Sequence, residues 1–139
     1  MSVVELRVRY QETDQMGVVY HSNYLVWCEV GRTQMLREIG MSYREVEAAG
    51  IYLPVHEVNC YYKKPAKYDD IILVKTVAKN LSGVRLDFDY QIVRKEDKQL
   101  LAEATSCHVF ADDNGRPVNI KKKAPHLWKL LKAEISEGC

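Results

Sequence analysis

The sequence predicts an α+β fold in which one antiparallel sheet wraps a single long, apolar helix. A strand-like run opens the chain, a helix-period segment that is apolar on most of its surface follows, and four further strand-like runs joined by short turns come next. With 139 residues the chain is one domain, long enough to bury roughly two-thirds of its unfolded surface without a disulfide or metal staple.

The opening strand is read from Val4, Leu6, Val8 and Tyr10, which alternate with Glu5, Arg7 and Arg9 at the period of a half-buried strand. Gln11 to His21 reads as a loop. Ser22 or Asn23 is the expected N-cap, because a short side-chain oxygen can satisfy a free N–H of the first helical turn. The helix is predicted over Asn23 to Ile39, stopped by Gly40. Tyr24, Leu25, Val26, Trp27, Cys28 and Val30 are interrupted only by Glu29, so this half should be buried almost all round. Gly31 costs about 1 kcal/mol of helix propensity, which predicts a strand or ligand passing close to it. Arg32, Arg37 and Glu38 should carry the second half into solvent. A shorter helix is expected over Ser42 to Ala49, ending at Gly50.

Strands are predicted over Ile51–Tyr62, Asp70–Lys79, Arg85–Lys95 and Gln99–Ala111. Pro54 marks a bulge or an edge in the first of these. Ser82-Gly83 and Glu96-Asp97-Lys98 supply the hairpin turns, Asp113-Asn114-Gly115 closes the series, and Ala124 to Ala133 forms a terminal helix.

Apolar residues at 47% and charged residues at 28% are an ordinary globular balance. A net charge of +1 gives no field for gripping nucleic acid or an anionic membrane. The scattered cysteines Cys28, Cys60, Cys107 and Cys139, the charged N-terminal segment and the lack of a long apolar run predict a cytoplasmic protein with free thiols. Cys107 and His108 would point to opposite faces of a strand, which argues against zinc there.

The segment "DQMGVVYHSNY", Asp14 to Tyr24, raises the chemical question. An aspartate beside a glycine is often an Asx-turn former. This one also lies just ahead of a buried helix, whose N-terminal N–H groups can polarise a carbonyl, and Gly17 permits close backbone approach to a ligand. His21 offers its backbone N–H at the helix start more informatively than its ring. Asn23 reads as a cap or loop clamp. Tyr20, Tyr24 and Trp27 fill core or wall a pocket, and Glu29 pairs with Arg32 three residues on or positions a water. Asp69-Asp70 reads as a turn rather than a metal site. No G-x-S-x-G elbow surrounds Ser22, Ser82 or Ser106, which disfavours a serine hydrolase. Lys63-Lys64, Arg85 and Lys121-Lys122-Lys123 are solvated charges from which phosphate contacts could be drawn, Arg85 first.

Tyr10, Asp14, Gly17, Val18, Val19, Tyr20, His21, Asn23 and Tyr24, together with Tyr62, Pro65, Ala66, Tyr68, Asp69 and Asp70 in "YKKPAKYDD", resemble the hotdog-fold thioesterases. The closer resemblance is to the 4-hydroxybenzoyl-CoA thioesterase family and its Tol-Pal-associated short-chain acyl-CoA branch. The likeness runs from about Val3 to Phe110. It implies a five-stranded antiparallel sheet around a central helix, a catalytic carboxylate at Asp14 as nucleophile or general base, and an oxyanion donor at the His21 N–H. It also implies sites at a subunit interface, hence a homodimer or homotetramer. The 4-hydroxybenzoyl enzymes carry a phenol where this chain has His21, a departure that points to the short-chain branch.

The sequence therefore predicts an acyl-CoA thioesterase without metal or cofactor. Asp14 and His21 are its catalytic positions, and Gly17, Tyr20, Asn23, Tyr24 and Arg85 lie against the acyl-CoA substrate. The alternatives are a non-catalytic acyl-CoA binding module, a thioesterase acting on acyl carrier protein, and a hydratase on the same scaffold.

Overall fold

The computed structural model describes residues 1–137, so Cys139 lies outside the described residues. The strands are β1 (Ser2–Arg7), β2 (Val55–Tyr62), β3 (Ile71–Lys79), β4 (Arg85–Arg94) and β5 (Leu100–Val109). They form one sheet in the order β1-β3-β4-β5-β2, with every neighbouring pair antiparallel. The helices are α1 (Ser22–Glu38), α2 (Tyr43–Ala48), α3 (Ile120–Lys123) and α4 (Pro125–Glu137). The predicted α+β sheet around a long helix is therefore the fold observed, with boundaries displaced by a few residues. Tyr10–Glu12, read as the strand's end and the start of a loop, forms a 3-10 turn. Ile51 to Pro54 stays outside β2 and makes only an isolated bridge from Tyr52 to Ala111. A register shift between Val55 and Glu57 follows Pro54, as its missing N–H leads one to expect at an edge strand.

The core lies between the sheet's inner face and α1. Ile72, Val74, Thr76 and Ala78 of β3 and Leu86, Phe88, Tyr90 and Ile92 of β4 point inward at the period of two. On α1 the buried residues are Tyr24, Trp27, Cys28, Gly31, Met35 and Leu36, one stripe at helical spacing. The expectation of a helix buried almost all round is corrected here. Val26 and Val30, on the opposite face, are 47% and 37% exposed, and Glu29 is exposed between them. Ser42 caps α2 through a reciprocal box with Glu45. Neither Ser22 nor Asn23 caps α1; its N-cap is His21, in the helical region, with no side-chain hydrogen bond.

Polar side chains inside the core form a directed chain. His108 Nδ1 donates to the Leu53 carbonyl at 3.1 Å, which leaves Nε2 to accept from Ser106 at 2.8 Å. Ser106 accepts from the Tyr90 hydroxyl at 2.7 Å, and Arg32 reaches the same hydroxyl at 3.5 Å. Arg32 thus turns inward toward β4, and among the described residues it makes no ion pair with Glu29, contrary to the i,i+3 expectation. Burial pushes the titration of His108 down, in keeping with a neutral ring that accepts through one nitrogen.

Gly31 has the close approach its position predicts. A Cβ there would collide with Thr76 Oγ1 and stand 3.0 Å from Val74 Cγ1. Both neighbours are β-branched side chains fixed on a central strand and cannot swing away. Gly31→Ala should lower the melting temperature, because overpacking costs of about 1–3 kcal/mol exceed the roughly 1 kcal/mol helix-propensity gain. Calorimetry of Gly31→Ala beside Gly31→Ala/Thr76→Ala checks the cause, since removing the hydroxyl and methyl of Thr76 should recover part of the loss.

Candidate active site

The loop from Thr13 to Val19 is a tight reversal. Thr13 and Val19 form a bridge, the Asp14 N–H donates to the Val18 carbonyl at 2.9 Å, and the Gly17 N–H returns to the Asp14 carbonyl at 3.0 Å. Gly17 has φ +78, the left-handed region where glycine carries no steric cost. Nothing lies within 4 Å of where its Cβ would be, so the backbone conformation and not a close neighbour accounts for the glycine.

Asp14 does what a turn-former does and keeps half of its carboxylate out of it. Oδ1 accepts from the Met16 N–H at 2.8 Å, an Asx-turn. Oδ2 has no hydrogen-bond partner among the described residues. The structural and chemical readings of this residue are therefore compatible, because they use different oxygens.

A buried carboxylate that sequence reasoning missed ties this loop to α1. Glu12 is 4% exposed. Its Oε2 accepts from the Trp27 indole N–H at 2.9 Å and its Oε1 from the Arg9 N–H at 2.7 Å, with the Arg9 guanidinium 3.7 Å away. The Glu12 carbonyl accepts from the Tyr20 N–H at 2.8 Å and from Asn23 Nδ2 at 2.9 Å. Asn23 also donates to the Tyr20 carbonyl at 3.3 Å, so its amide is the loop clamp expected of it. Nothing in the sequence around Glu12 signals this burial, because its partner on α1, Trp27, is 15 residues away.

The second matching block meets the first at the start of α1. The Val19 N–H donates to the Ala66 carbonyl at 2.9 Å, and the Ala66 N–H donates to the Tyr24 hydroxyl at 3.0 Å. The Tyr62 hydroxyl donates to the His21 carbonyl at 3.0 Å. Val19, His21, Tyr24, Tyr62, Lys63, Lys64 and Pro65 line a cleft of about 280 Å³. Tyr24 packs edge-on to Tyr62 at 5.0 Å, and burial pushes its phenol up. The His21 ring is exposed, 4.4 Å from the Tyr20 ring and edge-on to Tyr62 at 6.3 Å.

The N–H groups of His21 and Ser22 have no acceptor among the described residues, while those of Asn23 and Tyr24 bond back to Tyr20 and His21. Two free donors thus stand at the N-terminus of a 17-residue helix, where its dipole favours negative charge. Asp14 itself lies one residue beyond the Thr13–Val19 bridge and does not line the cleft.

Arg85 does not join these residues. Its guanidinium grips the buried Asp87 through two bonds, at 3.0 and 3.2 Å. Tyr62 pairs with Ala102, which pairs with Ile92, and Arg85 is seven residues from Ile92 along β4. That spacing is about 24 Å. The cations that the fold brings to the cleft are Lys63 and Lys64, which the sequence offers as phosphate contacts behind Arg85.

A sequence profile described as "Thioesterase-like superfamily" matches residues 8–137. The chain belongs to that superfamily. It is a thioester hydrolase. Its relatives include YneP of Bacillus subtilis, named as a candidate acyl-CoA thioesterase, at 40% identity over 90% of this chain and 91% of the relative. The acyl-CoA thioester hydrolase YbgC of Escherichia coli is 34% identical over 95% of this chain and 93% of its own length. Among solved structures, the DHNA-CoA thioesterase of Staphylococcus aureus superposes with a TM-score of 0.89 at 32% identity, covering 99% of this chain and 95% of that one. For this thioester hydrolase, the match spans both the loop that carries Asp14 and the block around Tyr62.

Replacing Glu12 with Gln keeps its volume but turns one of two acceptor oxygens into a donor facing an N–H. Glu12→Gln should therefore lose one buried bond and about 1–3 kcal/mol of stability. Chemical denaturation measures that loss, and Trp27 fluorescence should shift as the indole loses its partner.

Proposed function

We propose that the protein is an acyl-CoA thioesterase of the short-chain acyl-CoA branch, converting acyl-S-CoA and water into free acid and CoA. The whole 139-residue chain acts as one domain, in the cytoplasm. The observation that carries this reading is the divided Asp14 carboxylate: Oδ1 is held by the Met16 N–H, and Oδ2 is uncommitted, on the loop that leads into a helix start with free N–H groups. A carboxylate so placed is positioned for chemistry without having to break a bond first.

In the proposed reaction the thioester carbonyl lies between Asp14 Oδ2 and the start of α1. Asp14 either attacks the carbonyl carbon, giving a mixed anhydride that water hydrolyses to the free acid once the thiolate has left, or takes a proton from the attacking water, whose oxygen becomes part of the acid. The negative charge that develops on the carbonyl oxygen is received by the His21 N–H, aided by the helix dipole. The CoA thiolate then leaves, and its weak basicity makes a separate general acid unnecessary. Gly17, Tyr20 and Tyr24 border the acyl group. Asn23 acts on the loop, with both of its side-chain amide bonds going to carbonyls of this chain. The phosphates of CoA are assigned to Lys63 and Lys64, at the cleft, in place of Arg85.

A thiol-release assay over a panel of acyl-CoAs tests the reaction and the chain length together. Asp14→Asn retains the Asx-turn acceptor but loses the charge, so kcat should fall at least roughly a hundredfold while KM and the melting temperature hold. Near-normal turnover in this variant would make Asp14 structural. In the same assay Lys63→Ala and Lys64→Ala should raise KM in a salt-sensitive way, and Arg85→Ala should leave KM unchanged.

The active unit is proposed to be a homodimer or a larger homo-oligomer. Seven of the eight residues of β2 are exposed, its outer edge is unpaired among the described residues, and α1 leaves Val26 and Val30 bare. Such an edge and such a stripe are what a second copy of the chain would cover. Light scattering should give at least twice the 16.1 kDa chain mass, and Val30→Asp should lower both that mass and activity. A stable, active monomer would sink the assignment.

A further inference from the structure

We propose that Tyr62 is a positioning residue for catalysis: by holding the His21 carbonyl, it recruits the Ser22 N–H as a second oxyanion donor beside the His21 N–H. This deepens the reading of the helix start as the oxyanion site and rests on it.

The argument begins with the peptide units. The His21 N–H belongs to the unit whose carbonyl is Tyr20's, and the Ser22 N–H to the unit whose carbonyl is His21's. Both N–H groups are unpaired among the described residues. Both carbonyls are held. The Tyr20 carbonyl accepts from the Asn23 N–H at 3.0 Å and from Asn23 Nδ2 at 3.3 Å. The His21 carbonyl accepts from the Tyr24 N–H at 3.3 Å and from the Tyr62 hydroxyl at 3.0 Å. A donor on a carbonyl oxygen polarises the whole amide, so the N–H at its other end becomes the stronger donor.

The bond from Tyr62 differs from the others in where it originates. The Asn23 and Tyr24 contacts are local to the first helical turn and form wherever that turn forms. Tyr62 sits at the end of β2, 41 residues away, and its ring walls the same cleft as His21 and Tyr24. It therefore fixes the 21–22 peptide against the sheet, and through it the direction of the Ser22 N–H relative to the cleft. Burial and the neighbouring Cys60 thiol push the Tyr62 phenol up to about 12, so it stays protonated and donating at physiological pH. A group that only walled the cleft would contribute equally to substrate and transition state. One that orients an oxyanion donor acts on the transition state alone.

The test is Tyr62→Phe, which keeps the ring and removes the hydroxyl. Removing a direct oxyanion donor costs about 10²–10³ in kcat. Loss of a supporting bond should cost less, about three- to tenfold, the worth of one ordinary hydrogen bond. The expected result is that fall in kcat across all acyl-CoAs cleaved, with KM and melting temperature at wild-type values. By NMR, the Ser22 amide proton should move upfield while the His21 amide stays in place. Unchanged kcat overturns the proposal. So does a rise in KM alone, which makes Tyr62 a binding wall, or a fall in kcat together with melting temperature while the Ser22 amide is unmoved. The parent reading fails separately: no thiol release by the wild type from any acyl-CoA removes the oxyanion site and this role with it, whereas full turnover in Asp14→Asn makes Asp14 structural and leaves the role of Tyr62 to be read from Tyr62→Phe. The Ser22 amide shift would still report whether the bond exists.

Discussion

The buried carboxylate of Glu12 is the constraint on which the rest of the site depends. A charge at 4% exposure is costly unless it is met by donors, and here the Arg9 N–H and the Trp27 indole meet its two oxygens. Because one donor lies before the loop and the other lies on α1, satisfying the charge also fixes the distance between them. The Glu12 carbonyl does the same for the far end of the loop, through the Tyr20 N–H and Asn23. Asp14 and His21 are thus held at both ends of one short closed segment.

That segment is anchored to the sheet by the turn between β2 and β3. Arg94, on β4, donates to Asp70 at 3.2 Å, to Asp97 at 3.0 Å and to the Pro65 carbonyl at 3.0 Å. Each of the three nitrogens of this guanidinium is engaged, and its planar fork matches two carboxylates and a carbonyl at once. Pro65 and Ala66 are positioned by it, Ala66 bonds to both Val19 and Tyr24, and so the helix start inherits the geometry of the sheet. The chain of constraint runs from Arg94 through the turn to the N-terminus of α1.

Chemistry and stability are divided among oxygens and N–H groups in the same economical way. Asp14 gives one oxygen to the turn and keeps the other free. The first helical turn gives up the Asn23 and Tyr24 N–H groups to local carbonyls and leaves those of His21 and Ser22 unbonded. Unpaired groups of both kinds can persist because they lie near the surface, where water satisfies them. The buried chain from His108 to Arg32 has no such freedom. Its members satisfy one another inside the core, which makes it a fastening for the Leu53 segment.

The sequence by itself determined the periodic part of this protein. Strand alternation in β4 and the length of α1 follow from backbone geometry acting over a few residues. The sequence also singles out Asp14 and His21, as a carboxylate and a backbone N–H ahead of a helix start. Only the tertiary structure decided which polar side chains meet. Asn23 serves the Glu12 carbonyl and not the helix cap, Arg32 turns to Tyr90 and not to Glu29, and Arg85 is taken by Asp87. Glu12 is invisible as a buried group from its neighbours in sequence, and Tyr62 reaches His21 across 41 residues. Periodicity is imposed locally by the backbone. The pairing of a long polar side chain is chosen among whatever groups the folded sheet and helix bring within about 3 Å.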